Sequence, residues 1–184
     1  MIDLSIYSFD ISLHGFSSQH EKESQFQDAW GTWSVLHISQ TSLSRPLDIT
    51  FDDAVENLSQ LNRMFVELDG SFLWSNKHPS HSWQIDGNIF EQDNKVLFVE
   101  LKGMCVPSAF DDLLTCFGWP KETIVFQLTR PSVFLHEHEF RRHASTRGGV
   151  ELGQKYTAIN LELPGSFEAC TSCHSITAHI MSMY

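Results

Sequence analysis

Asp86 and the triplet Glu100-Leu-Lys102 are the residues whose types could most readily do chemistry together. Two carboxylates brought to one place can ligate a divalent cation through oxygen, as Mg²⁺ requires. A lysine ammonium beside them supplies a fixed positive charge. A second constellation, Cys170-Thr-Ser-Cys173-His174, has the spacing of a c-type haem attachment site, with Met181 and Met183 as axial ligands. Such attachment needs export, and the chain begins with no recognisable export signal. The same thiols with His174 or His179 would instead form part of a zinc site. Cys105 and Cys116 stand apart and there is no second Cys-x-x-Cys, so free thiols are the plainer expectation. The ten histidines cluster at His78-Pro-Ser-His81 and, on one helical face, at His136 and His143. Either cluster could meet a transition metal. Neither has a carboxylate arrangement that singles it out, and solvated surface histidines are the simpler reading.

These side chains matter only if the chain brings them together. Two helices are well marked. From Thr50, an N-cap, the residues Phe51, Ala54, Val55, Leu58 and Leu61 recur at helical spacing. Asp52 and Asp53 fall in the first turn, where the helix dipole favours negative charge. This helix is expected over 51–62. A second, over 107–117, begins at Pro107, carries Phe110, Leu113, Leu114 and Phe117 on one stripe, and is stopped by Gly118 and Pro120. Strands are expected over 63–68 and 71–75 about an Asp69-Gly70 turn, and over 81–91 and 95–102. Residues 123–129, almost continuously apolar, predict an interior strand. Segments 3–13 and 32–38 alternate enough to be strands, 135–144 reads as a short helix, and the glycine-containing stretch 145–165 reads as loop. The five tryptophans and most of the 14 phenylalanines are expected in the core.

The hairpin over 82–102 carries the sharpest inference. Odd positions are Trp83, Ile85, Gly87 and Ile89 in the first arm and Leu97, Val99 and Leu101 in the second. Side chains alternate between faces of a strand, so each set lines one face. A three-residue loop, Gln92-Asp93-Asn94, pairs odd with odd and yields one wholly apolar face, and register follows the buried face. That register sets Asp86 directly opposite Glu100, with Cβ atoms roughly 4.5–5.5 Å apart. Carboxylates so placed repel unless a cation or proton lies between them. Lys102, two residues along, could answer them in a surface salt bridge; a divalent metal could answer more fully.

At these residues the sequence resembles the restriction-endonuclease-like superfamily, with its PD-(D/E)xK motif. Ile85-Asp86-Gly87 corresponds to the first element and Val96-Leu-Phe-Val-Glu100-Leu-Lys102 to the second. The family's core order of helix, three strands, helix and strand can be read over residues 50–129. The resemblance implies that Asp86 and Glu100 hold Mg²⁺ and that Lys102 positions or activates the attacking water, with the metal polarising a scissile phosphate. The motif's proline is missing here. Arg130, Arg141, Arg142, Arg147 and Lys155 would have to fold against the motif to make its basic rim.

Composition bounds the alternatives. The 184 residues suit one globular α+β (or α/β) domain over 1–165, with a C-terminal segment, 166–184, for which no fold is expected. Its sheet is expected to be mixed but mainly antiparallel, with a central hairpin 82–102 and flanking helices 51–62 and 107–117. No apolar run approaches the ~20 residues a membrane span needs, and the cytoplasm is the expected compartment. Net charge is −11, all of it in residues 1–129, where 7 Lys/Arg face 18 Asp/Glu. An acidic chain repels phosphate backbones at long range. Two functions from different classes therefore remain: a Mg²⁺-dependent nuclease-like phosphodiesterase, with nucleic acid as its partner, and a non-enzymatic domain that recognises a protein.

Overall fold

The computed structural model describes residues 5–16, 22–43, 45–78 and 81–161. Its strands are β1 (Tyr7–Gly15), β2 (Lys22–Asp28), β3 (Gly31–His37), β4 (Met64–Val66), β5 (Ser71–His78), β6 (His81–Gln92), β7 (Lys95–Cys105), β8 (Ile124–Leu128) and β9 (Val133–Leu135). The helices are a single turn α1 (Gln40–Leu43), then α2 (Phe51–Ser59), α3 (Pro107–Thr115) and α4 (Glu137–Leu161). All described pairings are antiparallel, in one nine-stranded sheet of order β2-β3-β9-β8-β1-β7-β6-β5-β4. The chain is thus an α+β domain. Among the described residues no helix is long and apolar enough to cross a membrane.

Alternation decides which face is covered. Odd-numbered Phe9, Ile11 and Leu13 of β1, Val99 and Leu101 of β7, and Ile85 and Ile89 of β6 are buried in one core. Leu58 of α2, Phe110, Leu113 and Leu114 of α3, and Phe140 and Ala144 of α4 close over them. Helix α2 starts as its sequence predicts, with the Thr50 side chain accepting a hydrogen bond from the Asp53 backbone N–H at 3.0 Å. Gly118 ends the region of α3 with φ +94°, the left-handed conformation that favours glycine. Strand β8 is interior, between β9 and β1, as its apolar run predicts.

Three expectations need correction. The hairpin loop has two residues, not three. Gln92 pairs with Lys95, and Asp93 and Asn94 make the turn with φ +54° and +60°, the geometry of a tight hairpin. A bulge between Phe90 and Glu91 then restores odd-with-odd pairing, so the apolar face forms but the register is displaced by two residues. Asp86 consequently faces Lys102, and Glu100 faces Asn88.

The second correction is α4, which runs through Gly148, Gly149 and Gly153 in the stretch read as loop; residues 162–165 lie outside the described residues. A Cβ at Gly148 would lie 2.0 Å from the Ile6 carbonyl oxygen, so glycine there lets the helix backbone lie directly against the chain entering β1. The third is the pair β2 and β9, which the sequence did not mark. In β2 (KESQFQD) the single apolar residue is Phe26, and β9 has three residues.

Candidate functional site

Strands β6, β7 and β1 lie side by side, and their even-numbered side chains form three cross-strand rows. In one, Asp86, Lys102 and Asp10 follow one another across β6, β7 and β1. In the next, Asn88, Glu100 and Ser12 do so. In the third, the Phe90 and Phe98 rings stack at 4.3 Å and His14 stacks on Phe98 at 5.5 Å. Asp86, Glu100 and Lys102 therefore do share a face, as expected, and all three are exposed. A groove of about 290 Å³ runs between the first two rows. Asp86 and Glu100 stay open on this face, while α4 and the β2–β3 turn approach it beside Asp10 and Lys102.

The register alters the electrostatics. Asp86 and Glu100 are diagonal neighbours, a relation with separations of roughly 7–8 Å between strands, not a directly opposed pair. Charges alternate −, +, − along the row Asp86–Lys102–Asp10, so the repulsion that called for a metal is relieved within the sheet. Among the described residues Lys102 forms no ion pair, so the expected salt bridge to Asp86 and Glu100 is not made; Asp86 instead accepts hydrogen bonds from Gln84 Nε2 at 3.0 and 3.3 Å. No group of three or more described His, Cys, Asp or Glu side chains converges as ion ligands do. Asp86 and Glu100 are thus not set as a directly opposed ligand pair. Asp10, hidden in the sequence within an apolar strand, is the member that reasoning from sequence missed.

Along residues 50–129 the order is α2, four strands β4 to β7, α3 and β8, one strand more than the resemblance implies. Strand β8 pairs with β1, which separates it from β7. Of the arginines, Arg130 and Arg147 line a cavity together with Lys102. Arg141 is bound to Asp111 at 2.6 Å and to Glu137 at 2.9 Å, and Arg142 to Glu139 at 2.8 Å. Cys170, Cys173, His174, His179, Met181 and Met183 lie outside the described residues. Cys105 and Cys116 are buried free thiols, and burial pushes the Cys116 thiol up to about 11, so it stays protonated.

A second polar centre joins residues far apart in sequence. Asp28, ending β2, accepts through Oδ1 from the Trp30 and Gly31 backbone N–H groups at 2.8 and 3.1 Å and from Trp33 Nε1 at 3.0 Å. Its Oδ2 lies 2.9 Å from His143 Nε2 on α4. Burial alone would raise the Asp28 carboxyl, but the N–H donors of Trp33, Trp30 and His143 outweigh it and hold it below its ordinary value. Burial lowers His143, against the opposing pull of Asp28. The neutral ring therefore carries its proton on Nε2, facing the carboxylate, which leaves Nδ1 as a buried acceptor without a hydrogen bond among the described residues. Trp30 and Trp33 pack edge-on against the His143 ring at 5.5 and 5.0 Å. With four N–H groups on one carboxylate, the pair is a clamp that fixes the β2–β3 turn to α4. His14, on the sheet's other face, is also lowered by burial, with a Gln127 hydrogen bond of 3.0 Å acting the other way.

Comparison with protein-family models, curated proteins and solved structures gives no match to this chain.

Proposed function

We propose that this domain is a non-enzymatic recognition module whose open sheet face receives a cationic segment of a protein partner. The observation that carries this reading is the arrangement of Asp10, Asp86 and Glu100 around one groove, beside the stacked Phe90 and Phe98 rings. Carboxylates attract lysine and arginine side chains, and aromatic faces add cation–π attraction. The net charge of −11 extends the same preference to long range and favours fast encounter with basic partners. Strands set these side chains in fixed rows, so little ordering entropy is lost on binding.

The test is calorimetric titration with a nonaarginine peptide at low salt. Exposed ion pairs each contribute about 0.2–1 kcal/mol, so removing three carboxylates should weaken binding roughly tenfold. The triple variant Asp10→Asn, Asp86→Asn, Glu100→Gln is compared with Asp52→Asn, Asp53→Asn, Glu56→Gln on α2, which changes net charge equally. Equal losses in both would refute a localised site.

A second reading, a Mg²⁺-dependent nuclease-like hydrolase, is favoured by the shared face of Asp86, Glu100 and Lys102. Titration with Mg²⁺ or Mn²⁺ separates the two. Saturable heat that disappears in Glu100→Ala would support the hydrolase, and negligible heat in both proteins would remove it.

A further inference from the structure

The last backbone bond between β1 and the end of β8 runs from the Thr129 N–H to the Asp10 carbonyl at 3.2 Å, after which residues 130–132 turn toward β9. The notch beside Asp10 opens into a cavity of about 570 Å³, bounded by the β2–β3 turn and α4. Its volume is that of sites for small organic molecules, which are mostly apolar with a few fixed polar groups. Phe26, Trp30, Leu128 and Pro131 supply apolar wall.

The charges around it are unequal. Lys102, Arg130 and Arg147 face Asp10 and Asp28. Asp28 keeps its negative charge, but its oxygens are turned to four N–H groups whose dipoles offset part of its field toward the cavity. Arg147 is held over the Trp30 ring at 5.1 Å and by Glu151 at 2.9 Å, so it forms a fixed cationic wall. Among the described residues neither Arg130 nor Lys102 makes an ion pair. Guanidinium groups suit carboxylate and phosphate oxygens in particular, because their N–H groups can bind two oxygens at once.

We infer that this cavity binds a small organic anion, a carboxylate or phosphate ester on a flat apolar body. The anionic group meets Arg130 and Lys102, and the body lies against Trp30 and Phe26. The Asp28–His143 clamp positions Trp30 and touches no ligand. The site adjoins the sheet-face groove and shares Lys102 and Asp10 with it, yet its ligand has the opposite charge, so it stands independently of the cationic-partner reading.

The test uses 2-naphthoate, 2-naphthyl phosphate and the uncharged 2-naphthylmethanol, followed through the indole N–H resonance of Trp30. At least one of the two anions should move that resonance saturably and bind at least about tenfold more tightly than the alcohol, the loss expected for one charge-assisted contact. The tighter anion identifies the headgroup. Arg130→Gln, at an exposed turn position, should bring anion binding to the level of the alcohol, and Lys102→Gln should weaken it. Inorganic phosphate should bind more weakly than naphthyl phosphate. The proposal is overturned if no anion moves Trp30, if the alcohol binds equally well, if Arg130→Gln leaves the anions unaffected, or if inorganic phosphate matches the ester.

Discussion

Asp28 concentrates more hydrogen bonds on one side chain than any residue of the sheet-face groove, and its partner His143 is 115 positions away. Replacing it with asparagine keeps an acceptor for Trp30, Gly31 and Trp33, and its N–H₂ can donate to His143 Nε2 once the ring proton moves to Nδ1. The loss of a charged acceptor for these N–H groups should still cost about 1.5–3 kcal/mol. Denaturant unfolding of Asp28→Asn measures this, and a change near zero would show that the clamp is dispensable. Acid should act on the same centre. The depressed Asp28 carboxyl stabilises the fold at pH values above its ordinary range and loses that contribution as pH falls through its lowered value. His143 and His14 are lowered too, so the unfolded chain takes up protons first, and stability should fall as pH drops below the ordinary histidine value of about 6.5. Unfolding free energies measured between neutral pH and about pH 5 should decline, less steeply in His14→Asn. A flat profile would contradict the neutral, buried state of both rings.

At the level of elements, α4 depends on a glycine for contact and carries another that has no such use. Gly148→Ala must push the helix from the Ile6 carbonyl and should destabilise by about 1–3 kcal/mol. Gly149, exposed, has nothing within 4 Å of an added Cβ, so Gly149→Ala should stabilise by about 0.5–1 kcal/mol. Thermal melts of the two variants should move in opposite directions, and equal shifts would sink this account of the helix.

These two glycines, with Gly153 and Pro164-Gly165, are why 145–165 read as loop: composition does not reveal whether a glycine serves a turn or a close approach. Helices α2 and α3 were legible because caps and apolar spacing agree in them. The parity of the β6–β7 hairpin was legible from its apolar face, but its register was not. A two-residue turn plus a bulge at Phe90/Glu91 gives the same parity as a three-residue turn, and only the former needs positive φ at Asp93 and Asn94. That difference moved Asp86 from Glu100 to Lys102. Asp10, and the meeting of Asp28 with His143, depend on long-range pairing that no local pattern encodes.

For the whole molecule, α2 and α3 pack on the odd-numbered face of the sheet and an acidic, aromatic-edged groove lies on the even-numbered face, while the excess negative charge lies in residues 1–129. The central claim is that this groove, and not acidity in general, recognises cationic protein segments. It is tested most directly by mapping backbone amide shifts as nonaarginine is added. The account predicts that the largest changes fall on Asp10, Ser12, Asp86, Asn88, Glu100 and Lys102. Changes centred instead on Asp52, Asp53 and Glu56 of α2, or spread evenly over the acidic residues, would contradict it.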